Sequence, residues 1–169
     1  MTTATNMCRL IGCVLLSTVA LAGSGCSSAG GSAATTREAP QTATPNAAEI
    51  GEAERVVEQI ERARIAGDWA EVNRHISAVA FTAAQRTATP SMPFAELAQK
   101  AGELKSFELL LSVGGADYRD RKTGRTYPRV TVNVSETYSR FGSPVFAEMA
   151  MLKEEGQWRL AGVMAAGQR

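Results

Sequence analysis

Near residue 104 the apolar residues of this chain change their spacing, and that change restricts the folds open to it. Before it, Ile50, Ala53, Val57 and Ile60 recur every three or four positions with Glu and Arg between them, the mark of a helix with one apolar face. Gly67 is a natural stop for that helix, and Asp68-Trp69-Ala70-Glu71 places an N-cap three residues before a glutamate, a variant of the capping box. Trp69, Val72, Ile76 and Val79 then predict a second helix with a narrow buried stripe. A third, short helix is predicted from Pro93 to Ala101, with Ser91 or Met92 before it and Gly102 after it.

From Leu104 the period becomes two. Phe107, Leu109, Leu111 and Val113 alternate along one strand, with Gly114-Gly115 as a bulge or bend within it. Asp120 to Arg125 is a polar reversal, and Val130, Val132 and Val134 mark the clearest half-buried strand. Turns at Phe141–Pro144 and Glu154–Gln157 bound strands Val145–Lys153 and Trp158–Met164. The expectation is α+β: three amino-terminal helices packed on a curved four-stranded antiparallel meander. Val57, Ile60, Trp69, Val72 and Ile76 should form the contact between the first two helices and the sheet.

The amino-terminal segment carries an address. Arg9 precedes an apolar run, Leu10 to Ala22, broken only by Gly12, Ser17 and Thr18 and followed by the small residues Gly23-Ser24-Gly25 before Cys26. This segment resembles the lipobox of bacterial lipoproteins, with Gly23 standing where Leu is usual. The resemblance implies cleavage before Cys26 and lipid modification of that cysteine, palmitate included. Leu10-Ile11-Gly12-Cys13 looks the better match to such a cleavage site, but cleavage there would leave almost no apolar segment upstream for export. An ordinary cleaved secretion signal and an uncleaved anchor are the other readings. The anchor is disfavoured because a membrane span takes ~20 apolar residues, and the run from Leu10 to Ala22 is about 13 long.

This divides the chain into a signal peptide (1–25), a lipidated Cys26 with a tether (26–46) and one domain (47–169). The tether is Ser, Ala, Thr, Gly and Pro without apolar periodicity; as a flexible coil its residues 27–46 span about 25 Å. Removing the signal takes Cys8, Cys13 and Arg9 with it. The basic count falls from 18 to 17 against 17 acidic residues, leaving a neutral mature chain with one cysteine. A neutral domain argues against a nucleic-acid partner, and a lone cysteine at the mature terminus against an internal disulfide or a metal site. No cofactor is implied. The expected location is the cell membrane or outer membrane, facing periplasm or exterior; Ser27 after the cysteine favours the outer membrane if the host is Gram-negative.

Two stretches, "ARIAGDWAEVNRHI" and "EMAMLKEEGQWRLAGV", give the domain a further likeness. A helix ending in Gly-Asp-Trp and a terminal hairpin with Gly-x-Trp resemble the nuclear-transport-factor-2-like, or cystatin-like, superfamily over about residues 47 to 164. The resemblance implies a curved sheet wrapping a long amino-terminal helix. It implies no single activity, since isomerases, dehydratases, cyclases and binding domains share the fold. Enzymes of the superfamily work in the concave pocket between sheet and helices, usually with Asp, His or Tyr as acid or base.

The candidates for such chemistry are few. His75 is the only histidine and lies beside the buried stripe of the second helix, where a satisfied boundary residue is the plainer reading. Glu136 falls in phase with Val130, Val132, Val134 and Tyr138 on the face expected to meet the helices. Four-residue turns at 141–144 and 154–157 would pair Glu136 with Met149 and Met149 with Gly162, leaving room in the sheet beside a carboxylate suited to proton transfer. A solvated strand end or a register off by one would remove it from the pocket. Tyr138, about 7 Å from Glu136 along the strand, should share a ligand with it but not a proton. Lys153 and Trp158 should pack stem over ring, and Arg119, Arg121, Lys122 and Arg125 crowd a hairpin tip that is solvated or touches anionic lipid or envelope polymer. No phosphate loop, nucleophile elbow or paired-carboxylate motif occurs. The leading expectation is a non-catalytic domain binding a small ligand or envelope partner. The alternatives are a small acid–base enzyme, isomerase or hydrolase, using Glu136 with Tyr138 or His75, and a structural accessory lipoprotein.

Overall fold

The computed structural model describes residues 44–166. The expected signal peptide, Cys26 and the tether as far as residue 43 lie outside the described residues. Helix α1, Ala47–Ala66, begins at Asn46, whose side chain accepts from the amides of Ala48 and Glu49 while Glu49 returns a bond to the Asn46 amide. Pro45, just before this cap, is buried, and Thr44 and Pro45 lie against Gly114. Gly67 ends α1 in the left-handed region, φ 72°, where a residue without Cβ carries no steric penalty.

Helix α2, Trp69–Arg74, is capped by Asp68, which accepts from the Glu71 amide at 3.0 Å. It is shorter than the apolar stripe predicts. At Ile76 the chain leaves the helix and runs parallel to the sheet edge: Leu160 N donates to His75 O at 2.7 Å and Ser77 N to Leu160 O at 2.9 Å. Ile76 is buried as expected, but by edge pairing, which satisfies backbone groups that another helical turn would otherwise use. Val79 is only half-buried. Helix α3, Ala83–Thr87, is unanticipated: Thr82 and Gln85 form a capping box over one short turn with no buried residue to betray it. Helix α4, Ala95–Ala101, matches the predicted third helix, preceded by the fully buried Phe94.

The sheet is open, antiparallel and five-stranded, not four-stranded. Its strands are β1 (Leu104–Leu109), β2 (Val113–Arg119), β3 (Thr126–Tyr138), β4 (Val145–Glu154) and β5 (Gln157–Ala166). Both β1 and β2 pair with β3, one along each half of its length, and β4 and β5 follow on the other side. The single strand expected from Leu104 onward is interrupted at residues 110–112, where Leu110 N donates to Asn133 O at 2.8 Å. A further irregularity lies between Gly115 and Tyr118, next to the glycine pair. The reversal at 120–125 is held by Asp120, which accepts from the Lys122 amide and the Thr123 hydroxyl.

Along β3, Val130, Val132, Val134, Glu136 and Tyr138 are all buried beneath α1, which packs on β1, β3 and β5. Val57, Ile60, Val72, Phe94, Met149, Met151, Trp158 and Leu160 complete this core, with Trp69 half-buried at its margin. The expected register of the third and fourth strands is corrected: Glu136 pairs with Val145, and Met149 with Val132 and Val163. Ser139 N donates to Glu103 O and Arg140 N to Ala101 O, so β3 leaves its partner early and the connection widens. The slip is an even number of residues and therefore leaves every side chain on its expected face. The second turn is as expected, with Glu154 opposite Gln157 and both Glu155 (φ 49°) and Gly156 (φ 81°) in the left-handed region of a tight hairpin. A bulge between Ala150 and Met151 then displaces the remaining pairs by one.

Candidate functional site

Four polar side chains meet in the interior where the last turns of α1 cross the end of β3. Val57, Ile60, Glu61 and Arg64 occupy one helical face at i, i+3, i+4 and i+7, so two charged residues continue an apolar stripe into the core. Glu61 and Glu136 are fully enclosed, Tyr138 nearly so, and Arg64 is 8% exposed.

Arg64 organises the group. Its Nη1 donates to both Glu61 oxygens, at 2.7 and 2.8 Å, and to Glu136 Oε1 at 2.6 Å. Its Nη2 donates to Tyr138 Oη at 2.8 Å, and Tyr138 Oη donates to Glu136 Oε2 at 2.7 Å. The guanidinium carbon sits 4.0 Å from the centroid of Phe94, which tilts against Trp69 at 6.4 Å. Charge-assisted bonds of this kind are about twice as strong as neutral ones, and here they tie α1 to β3.

With both carboxylates ionised, the group would hold two negative charges against one positive in the buried interior. Burial, opposed by Arg64 and reinforced by the Glu136 carboxylate, pushes the Glu61 carboxyl up to about 8. Glu61 therefore holds its proton near neutral pH. Burial also raises the Tyr138 phenol, against the pull of Arg64, so it stays protonated and donates.

Glu136 thus lies inward as expected, but no gap opens beside it: Val145 stands on β4 where Met149 was expected, and Phe107 flanks it from β1 on the other side. Tyr138 does share a proton with Glu136, contrary to the expectation from strand spacing. Both side chains bend toward Arg64, which spacing along a strand does not include. His75 is not brought to the group: it caps α2, is half-buried, and its Nε2 lies 3.1 Å from Glu71 Oε1. Lys153 and Trp158 pair across β4 and β5 as expected, with Nζ 5.5 Å from the ring centroid and ion pairs to Glu49 and Glu52 of α1.

A cleft of about 590 Å³ lies against this group, lined by Arg64, Ile65, Trp69, Leu104, Lys105 and Arg140 among others. Of the four members only Arg64 reaches it. Lys105 is paired with Glu103 at 2.7 Å, and Arg140 donates to Gln99 O at 2.9 Å. Among the described residues no three His, Cys, Asp or Glu side chains are grouped to hold a metal, and no helix is long and apolar enough to cross a membrane. Cys26 lies outside the described residues. Sequence reasoning missed Glu61, Arg64 and Phe94. The readable signal for the first two was two charges of opposite sign at stripe positions of an amphipathic helix. No protein-family model matches the chain, and no match is found among curated proteins.

Proposed function

We propose that this chain is a bacterial lipoprotein of the cell envelope, anchored through lipid on Cys26, whose cystatin-like domain binds a small ligand or envelope partner without catalysis. The apolar run ending at Gly23-Ser24-Gly25-Cys26 supports the anchor. A long amino-terminal helix on one face of an open antiparallel sheet supports the superfamily reading. The observation that carries the non-catalytic reading is the saturation of Glu136. Both its oxygens are bonded inside the group, and it has no surface toward the cleft. A base must lie within hydrogen-bond reach of a substrate proton, and this one is occupied and enclosed.

Two experiments test the proposal. A Cys26→Ser protein should leave the membrane fraction, and mass spectrometry should find the mature terminus at a lipid-modified Cys26; a substituted protein that stays membrane-bound sinks the anchor. A water-soluble carbodiimide should leave Glu136 unmodified in the folded protein. The acid–base alternative keeps one feature in its favour, the buried Glu61 carboxyl pushed up beside Glu136, and rapid labelling of Glu136 would support it.

A further inference from the structure

At the opposite end of β3 from Glu136, about 30 Å away along the strand, a second cleft of about 520 Å³ opens between α2, α3 and the β4–β5 turn. Four arginines line it, Arg74, Arg86, Arg125 and Arg159, against two carboxylates, Glu154 and Glu155. Arg74 is ion-paired with Glu71, and Glu154 already accepts from the Ser77 hydroxyl and the Ala78 amide. Among the described residues Arg86, Arg125 and Arg159 have no carboxylate oxygen within 4.0 Å. Arg159 instead donates to Arg74 O and the Gln157 amide oxygen. The Nε of Arg86 is buried and finds no acceptor.

An enclosed guanidinium N–H without an acceptor is costly, and clustered guanidiniums repel one another unless an anion joins them. Four positive against two negative side chains leave the lining with a charge of +2. We infer that this cleft binds a phosphate group, with the dianionic phosphomonoester matching its charge and the planar arginine forks matching its oxygens. Arg86 and Arg125 grip the anion, Arg159 adds positive charge at its edge, and Tyr127 contributes a phenolic O–H to the wall. Of the basic run at the β2–β3 turn, only Arg125 lines the cleft; Arg119, Arg121 and Lys122 do not. The phosphate belongs either to a lipid headgroup or to a soluble compound. Such a site works with or without a lipid anchor and shares no residue with the Glu136 group.

The test is calorimetric titration of the full chain in neutral detergent with inorganic phosphate at constant ionic strength. Saturable binding is expected, weakened more than about tenfold by Arg86→Gln and by Arg125→Gln, each of which removes a charge-assisted contact. Arg125 is exposed, so its replacement reports on binding even if Arg86→Gln perturbs folding. Arg121→Gln, on the same turn but outside the cleft, should bind as the parent does. Repeating the titration in micelles doped with phosphatidic acid separates the sources. Suppressed phosphate binding assigns a lipid headgroup, unchanged binding assigns a soluble phosphate, and both outcomes support the site. No saturable binding, or an Arg121→Gln loss equal to that of Arg125→Gln, overturns it.

Discussion

Glu61→Gln should make the stability of this protein nearly independent of pH between about 5 and 9, where the parent loses stability steadily. In the folded chain the Glu61 carboxyl titrates near 8, against an ordinary 4.5 when unfolded. Between those values the folded state holds a proton that the unfolded state has released, so stability falls as pH rises through this window. Below 4.5 the penalty is absent, and above 8 it is complete. Each pKa unit is worth ~1.4 kcal/mol, so the shift sets an upper bound of roughly 5 kcal/mol, reduced by any relaxation around the carboxylate. For a domain of this size that is a fall in Tm on the order of 10–20 °C between pH 5 and pH 9. Glutamine keeps an oxygen for Arg64 and has no proton to lose. The carboxyls held low by their partners, Glu49, Glu96, Glu103 and Asp120, act in the opposite sense and at lower pH, where they lose their stabilising charge. Thermal unfolding followed by circular dichroism at half-unit pH steps measures the slope. A parent that is flat from pH 5 to 9, or a Glu61→Gln protein that keeps the parent's slope, would refute the reasoning.

Arg64→Met leaves Glu61 and Glu136 facing each other without their cation, and should destabilise by roughly 3–5 kcal/mol in urea unfolding at pH 7.5, and less at pH 5, where Glu61 is fully protonated in the folded state. Phe94→Ala removes a fully buried ring that also covers the Arg64 guanidinium and should cost about 3–5 kcal/mol, whereas the half-buried Trp69→Ala should cost less, about 2–3 kcal/mol. Equal losses in denaturant midpoints would contradict that ranking. Gly102→Ala places a Cβ 2.4 Å from Ser139 Oγ at φ 83°, and should lower stability by about 1–3 kcal/mol.

Periodicity alone determined much of this protein. The turn to period two at Leu104, the glycine stop at Gly67, the Asp68 cap and the inward phase of Val130 to Tyr138 all follow from local rules, because face and cap depend on neighbours a few residues apart. Where chain segments compete, only the tertiary structure decided. The sheet edge took Ile76 from its helix by offering backbone partners. The pull of residues 101 and 103 on 139 and 140 widened a turn and moved a register by an even step, which kept Glu136 inside while closing the gap foreseen beside it. Arg64 joined groups from α1 and β3 that strand spacing holds apart. A buried charge needs its partners in space, and their positions in sequence leave that need invisible until the helix crosses the strand.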